Sequence, residues 1–350
     1  MGLGLGLPDP GRTTLQCSVV FDVHGHVLDL AFRRDRPLDA PLGGVTDVPM
    51  LKAGGVHGQL CATWTPDIAK SGPHSHSVAS PRDTLLAMLD YADRELDGPA
   101  GATVVLVRRA RDLETAAQEG RVALVAGTEG TDALEGSLDT LDLLYRRGLR
   151  HVGLAHEHAN EFGSASQVWE GGAMRAFDAG RDVAAHLSSR GRELLRAMAE
   201  LGVIVDLTHV VEPAFWEVLD VIEGPVLVSH GGARALTDSA RYLTDQQLKA
   251  VAATGGVVGV SPTPLGPSRE VPGMSLLLAA LEHLVDVIGW EHVAIGTDFK
   301  DQVGYYPAPF GCSADTPNLI AALGERGYSD EAIAGICGDN AVGLIREVIG

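Results

Sequence analysis

Positive charge is scarce in this 350-residue chain: 27 Lys plus Arg stand against 46 Asp plus Glu, a formal charge of -19. Long-range electrostatics therefore work against nucleic acid and anionic membrane surfaces, and neither is an expected partner. Long apolar runs are missing too. No stretch reaches the roughly 18 uninterrupted apolar residues of a membrane span, and the start MGLGLGLPDPGRT has no basic segment ahead of an apolar one. The expectation is a soluble, cytoplasmic protein. Cysteine is sparse, with Cys17, Cys61, Cys312 and Cys337 far apart and in no CxxC pair. These read as free thiols rather than a disulfide framework or a thiolate metal site. Aromatics make up only 5% of the chain, which leaves little from which to read an apolar specificity pocket. Internal repeats, heptads and low-complexity tracts are absent.

What is present is alternation. Short β-rich apolar runs at residues 18–23, 58–64, 123–126, 151–154, 203–207, 225–228, 257–260 and 292–295 are separated by longer amphipathic segments. Helical patterns fill 83–94, 191–200, 244–253 and 276–288, with glycine shortly after each as a C-cap signal. Eight strands alternating with helices predict a (β/α)8 TIM-type barrel of class α/β in a single domain spanning 17–350, after an N-terminal extension of 1–16. The turn-rich stretches 262–273 and 305–317 read as long loops rather than linkers. An open doubly wound sheet is disfavoured because no glycine-rich phosphate fingerprint follows the first strand.

Polar residues fall where such a barrel has its active mouth. Six of the eight runs lead into His, Glu or Asp at or just past their C-terminal ends: His24 and His26, Glu129, His156, His209, His230 and Asp298. Residues two apart on a strand share a face, so His24 and His26 are expected to offer imidazoles to one ion. Four imidazoles and one carboxylate suit zinc or another borderline divalent cation, and Glu129 has two oxygens with which to bridge a pair. Asp298, with Lys300 as its nearby cation in sequence, has the chemistry to move a proton from an activated water to a leaving nitrogen.

A single histidine after a strand is ordinarily a packed, hydrogen-bonded residue; coincidence at six strand ends is what favours a site. The remaining histidines lack that company. His74 and His76 form another HxH, but in a Ser/Gly/Pro-rich loop with no strand before it. His57, His151, His186, His283 and His292 are read as packing or surface residues, and His158 as a residue of a loop over the site. Asp22, one alternation before His24, is expected to support a ligand rather than bind metal.

These residues carry a resemblance to the membrane (renal) dipeptidases of the amidohydrolase superfamily. That family's first-strand D-G-H-N-D is similar to Asp22-Val23-His24-Gly25-His26, and its bridging E-G to Glu129-Gly130. The G-x-R-Y-L-T-L-T-H stretch is similar to Gly148-Leu149-Arg150-His151-Val152-Gly153-Leu154-Ala155-His156, with Asn160 following. D-L-S-H resembles Asp206-Leu207-Thr208-His209, and S-H-S resembles Ser229-His230-Gly231, with Arg241 eleven residues on. G-x-D-F-D-G resembles Gly296-Thr297-Asp298-Phe299-Lys300-Asp301, and the tail with Gly338-Asp339-Asn340 is also family-like. The likeness runs from about residue 18 to the end.

The resemblance implies a binuclear zinc barrel in which His24 and His26 hold one ion, His209 and His230 the other, and Glu129 bridges. It further implies that His156 stabilises the oxyanion, Arg241 clamps a substrate carboxylate beside Tyr242 and Asn160, and Asp298 transfers the proton. A homodimer is implied by the resemblance alone. Three departures bear on this. His26 replaces the family's aspartate, Lys300 replaces its acidic residue, and Tyr242 stands where it has asparagine. The first makes the ligand set one charge more positive and puts occupancy of the second metal position in question. The function expected is hydrolysis of a dipeptide or dipeptide-like amide by metal-activated hydroxide. Two alternatives stay open: another amidohydrolase reaction (N-acyl amino acid, lactam or lactone opening, as in secondary metabolism) and a catalytically silent barrel that binds a small ligand.

Overall fold

The architecture was obtained as a computed structural model, which describes residues 19–64, 80–170, 173–178, 186–262, 274–300, 306 and 308–350. Eight parallel strands close on themselves: β1 (Phe21–Gly25), β2 (Gly58–Thr63), β4 (Val122–Thr128), β5 (Leu149–Gly153), β8 (Ile204–Asp206), β9 (Leu227–Gly231), β10 (Val257–Val260) and β11 (Val293–Ile295). Each matches one of the eight expected runs. Closure comes from β2, which pairs with β1 on one side and with β4 on the other over Gly58↔Ala123 to Thr63↔Thr128. The result is the (β/α)8 barrel expected.

The sequence reading missed three strands. β3 (Val104–Leu106) adds to the start of β4, and β6 (Gln167–Glu170) pairs antiparallel with β7 (Ala173–Ala176) in a separate hairpin after β5. The four expected helices are present as Pro81–Leu96, Ser189–Leu201, Asp245–Ala253 and Met274–Ile288. Ser80 accepts a hydrogen bond from Asp83 N, and Thr244 from Gln247 N, so the predicted helix starts carry side-chain caps. The segment read as a loop at 305–317 instead contains a 3-10 turn, Ser313–Asp315, and the first residues of the helix Thr316–Glu325. Most of 262–273 lies outside the described residues.

Two apolar layers follow from strand alternation. Phe21, Val23, Leu60, Ala62, Ala123, Val125, Ile204, Leu227, Val257 and Ala294 fill the barrel interior, together with Ala341, Val342 and Ile345 of the helix Asn340–Ile349. That helix closes the N-terminal end of the barrel. The alternate strand residues, such as Leu124, Val152, Val205, Val228 and Val258, pack outward against the helices. With one end plugged by apolar side chains, only the C-terminal mouth is available for polar chemistry. Among the described residues no helix is long and apolar enough to cross a membrane. Cys61 and Cys337 are buried and Cys312 is partly buried, all three outside any disulfide, and Cys17 lies outside the described residues.

Candidate metal centre

Strand ends deliver the polar side chains to that mouth. His24 lies in β1 and His230 in β9; Glu129 follows β4 directly, while His156, His209 and Asp298 each come three residues after β5, β8 and β11. His209 and Asp298 hold left-handed backbones, φ 68° and 52°. Such conformations cost energy outside glycine and persist where surrounding structure fixes them, here at two residues aimed into the same cluster.

The geometry is centred on Glu129. Its Oε1 is 3.0 Å from His209 Nε2, 3.4 Å from His156 Nε2, 3.5 Å from His230 Nε2 and 3.7 Å from His24 Nε2. Asp298 Oδ1 completes the group, 3.6 Å from His24 Nε2 and 3.0 Å from His26 Nε2. Ligand atoms of His24, His26 and Glu129, of His24, His230 and Asp298, and of Glu129, His209 and His230 each lie within 4.8 Å of one another. All of these residues are buried, and His24 Nε2 and Glu129 Oε2 have no hydrogen-bond partner among the described residues. Unpaired buried acceptors are costly unless something outside the protein meets them, so the donor set fits divalent cations.

Electrostatics separate the imidazoles. Burial lowers His24 to about 4, so at neutral pH its contact with Glu129 is not an ion pair. Burial likewise depresses His156, His209 and His230, leaving neutral, metal-competent rings. His26 is the exception. Burial opposes its charge, but Asp29 and Asp298 on either side raise it to about 9. Burial also opposes the charges on Glu129 and Asp298, and both still stay well below the carboxylate range: imidazoles surround the first, and the Lys300 ammonium lies 3.2 Å from Oδ1 of the second.

The route to His26 differs from the one expected. Strand β1 ends at Gly25, and His26 is the N-cap of the following helix Val27–Arg33. The register between β1 and β2 shifts between Asp22 and Gly25. Strand alternation therefore does not pair His24 with His26; the turn into the helix brings their ring centroids to 5.2 Å. Asp22 supports His24 through the backbone, its Oδ1 accepting from His24 N at 3.2 Å. Asp22 accepts from Gln59 Nε2 and from Thr297 N and Oγ1, bracing β1, β2 and β11, and burial raises its carboxyl to about 6.

Arg241 is buried beside the cluster. Its Nη2 donates to His230 O at 3.0 Å, while Nε and Nη1 have no partner among the described residues. Tyr242 does not join it. The Tyr242 ring lies over Gly232 and lines a separate, largely apolar cavity with Leu236 and Leu277. Asn160 is occupied by its own loop: Nδ2 donates to Leu154 O and Oδ1 accepts from Phe162 N and Gly163 N. A cavity of about 120 Å³ opens onto the cluster, lined by His26, His156 and Lys300 together with Trp64, Arg33 and Glu157. The last three were not anticipated. Trp64 stands just past the end of β2, its ring 4.5 Å from that of His156, and the strand-end rule applied to β2 would have found it.

The histidines read as structural have protein partners. His57 accepts from Val20 N, His292 Nδ1 contacts Gly256 O, and His186 and His283 contact Glu217 and Asp245. His158 meets Asp132 at 2.6 Å. His151 is more than packing, because its Nε2 contacts Asp206 Oδ2 at 3.0 Å directly behind the cluster. His74 and His76 lie outside the described residues.

Comparison with known proteins places this arrangement. The family model described as membrane dipeptidase (peptidase family M19) matches residues 12–349. The dipeptidase tcpJ of Claviceps purpurea is 30% identical over 250 residues, covering 69% of this chain and 55% of that protein. The crystal structure of dipeptidase AC, a metallopeptidase, superposes with a TM-score of 0.81 at 26% identity, covering 96% of this chain and all of the other. A metallopeptidase of Rhodobacter sphaeroides, solved with a phosphinate mimic of the dipeptide L-Ala-D-Ala, gives 0.80 at 26% identity over 94% of this chain and 99% of its own. The chain belongs to the membrane dipeptidase family, peptidase family M19, and is a metal-dependent hydrolase.

Proposed function

We propose that the chain hydrolyses a dipeptide or dipeptide-like amide with two zinc ions, one held by His24 and His26, the other by His209 and His230, and both by Glu129. The observation that carries this reading is the convergence of the Nε2 atoms of His24, His156, His209 and His230 on the buried Glu129, whose Oε2 is unpaired among the described residues, with His26 within ligand distance of His24 and Glu129. The bound ions supply Lewis acidity to a water and to the scissile carbonyl.

The protein groups divide the remaining work. Asp298, held ionised by Lys300, is an acceptor for the proton lost by the attacking water and returns it to the departing nitrogen. His156 is a neutral ring at the cavity wall, suited to donating to the developing oxyanion. Arg241 gives one N–H of Nη2 to His230 O, and the second N–H of Nη2 together with Nε or Nη1, both unpaired among the described residues, is a fork that matches a carboxylate. Asp298→Asn removes the proton carrier but none of the proposed ligands. Turnover is expected to fall by about 10²–10⁴-fold with metal content intact, measured by steady-state kinetics beside elemental analysis; a variant with wild-type turnover contradicts the role.

A second substrate class lies within the same chemistry. Lys300 and Arg33 flank the cavity, and each faces a carboxylate, Asp298 and Asp29, at 3.2 Å. Glu157 at the same wall suits the α-ammonium of a dipeptide, a charge that an N-acyl amino acid lacks. Matched dipeptides and N-acetyl amino acids with the same C-terminal residue separate the two readings through their kcat/KM ratio.

A further inference from the structure

Behind the proposed ligands lies a hydrogen-bonded network centred on Asp206 and Ser229. Asp206, at the end of β8, accepts the backbone N–H of Thr208 and of Ser229 on Oδ1, at 2.9 and 3.0 Å. On Oδ2 it meets Ser229 Oγ at 2.5 Å and His151 Nε2 at 3.0 Å. Backbone amides can only donate, so Asp206 is filled from four directions and acts as an acceptor. The single proton of the Ser229 hydroxyl is thereby directed to Asp206.

That assignment decides the rest. Ser229 Oγ also lies 2.9 Å from His24 Nδ1 and 3.2 Å from His230 Nδ1. With its own proton spent on Asp206, the oxygen has only lone pairs to offer, so a ring in contact with it must donate; the Thr208 hydroxyl, at 3.2 Å, is a third donor facing the same two lone pairs. Each is then the Nδ1–H tautomer, and each turns an Nε2 lone pair into the cluster, where His24 Nε2 has no protein partner. We infer that Ser229, oriented by Asp206, is a positioning residue that fixes the tautomer of one ligand from each of the two metal positions and so couples their affinities through a single hydroxyl.

This rests on the ligand set proposed above. Ser229 is fully buried and does not line the cavity at the cluster, so its role is exerted through the two imidazoles. Partners that hold the second nitrogen of a ligand imidazole are typically worth 10–100-fold in metal affinity. Here one change is felt at both positions.

The test compares wild type with Ser229→Ala by zinc titration against a competing chelator, and by ¹⁵N NMR of the imidazole nitrogens in the metal-free proteins. Asp206→Asn is carried in parallel because its amide presents a donor where Ser229 now gives its proton. Expected for Ser229→Ala are two zinc affinities each weakened by about 10–100-fold, and loss of the Nδ1–H signature at two rings. A variant that keeps both affinities, or loses only one, overturns the coupling. If Ser229→Ala does not fold, unchanged zinc affinities in Asp206→Asn overturn it equally. Failure of the underlying metal reading is separate, since wild type would then bind no zinc at all.

Discussion

His26 sits between two carboxylates, with Nδ1 3.4 Å from Asp29 and Nε2 3.0 Å from Asp298, and they raise it to about 9. His24, lowered to about 4, is already neutral at pH 7.5. If His26 is a ligand, loading metal at that pH must expel close to one proton from it and none from His24. Calorimetry in buffers of different ionisation enthalpy is expected to show about one proton fewer released by His26→Asp than by wild type; equal release contradicts ligation by His26. The sign for stability follows the same shift. In the metal-free protein the raised His26 contributes stability in full below about 6.5, and that contribution is lost as pH rises through about 9, readable as a falling Tm. Arg241→Lys keeps the charge and loses the fork. KM for a substrate with a terminal carboxylate is expected to rise roughly 10-fold or more with kcat little changed; an unchanged KM removes the clamp. The proposed ligands were visible in the sequence because strand ends converge. Asp206 and Ser229 were not singled out, because their polar atoms are spent on other protein atoms and leave no pattern of their own.

At the level of elements, the site depends on how closely β10 and β11 approach β9. A Cβ at Gly259 would lie 2.0 Å from Ser229 O, and one at Gly296 would lie 1.8 Å from the same atom. Both positions must lack a side chain if Ser229 and His230 are to stay where they are. Gly296→Ala is expected to cost about 1–3 kcal/mol through overpacking and to weaken zinc binding by displacing β9. Denaturant unfolding of the metal-free variant with a wild-type midpoint would contradict this. The eight barrel strands were legible as β-rich apolar runs. Val104–Leu106 was not read as a strand although 103–107 is a β-rich run of the same kind, because it adds to the edge of β4 outside the eightfold alternation, and the hairpin β6–β7 was not, because its segment lacks strict alternation. His26 was expected on a strand and lies at a helix start, since pairing register is set by neighbouring strands that a local pattern does not contain.

The molecule as a whole puts its polar chemistry at one end. The helix Asn340–Ile349 plugs the bottom of the barrel with apolar side chains, and strand tips present imidazoles and carboxylates at the top. Cationic and acidic groups meet there, Arg241, Lys300 and Arg33 beside Glu129, Asp298, Asp29 and Glu157, so the mouth reads a substrate's charge through individual pairs rather than through a field of one sign. The central claim is that this cluster is a metal centre on which hydrolysis depends. The most direct measurement is metal content per chain, together with dipeptide and N-acyl amino acid turnover before chelation, after it, and after zinc is restored. The account predicts close to two equivalents, loss of turnover on chelation and recovery on re-addition; turnover that survives complete removal of metal would contradict it.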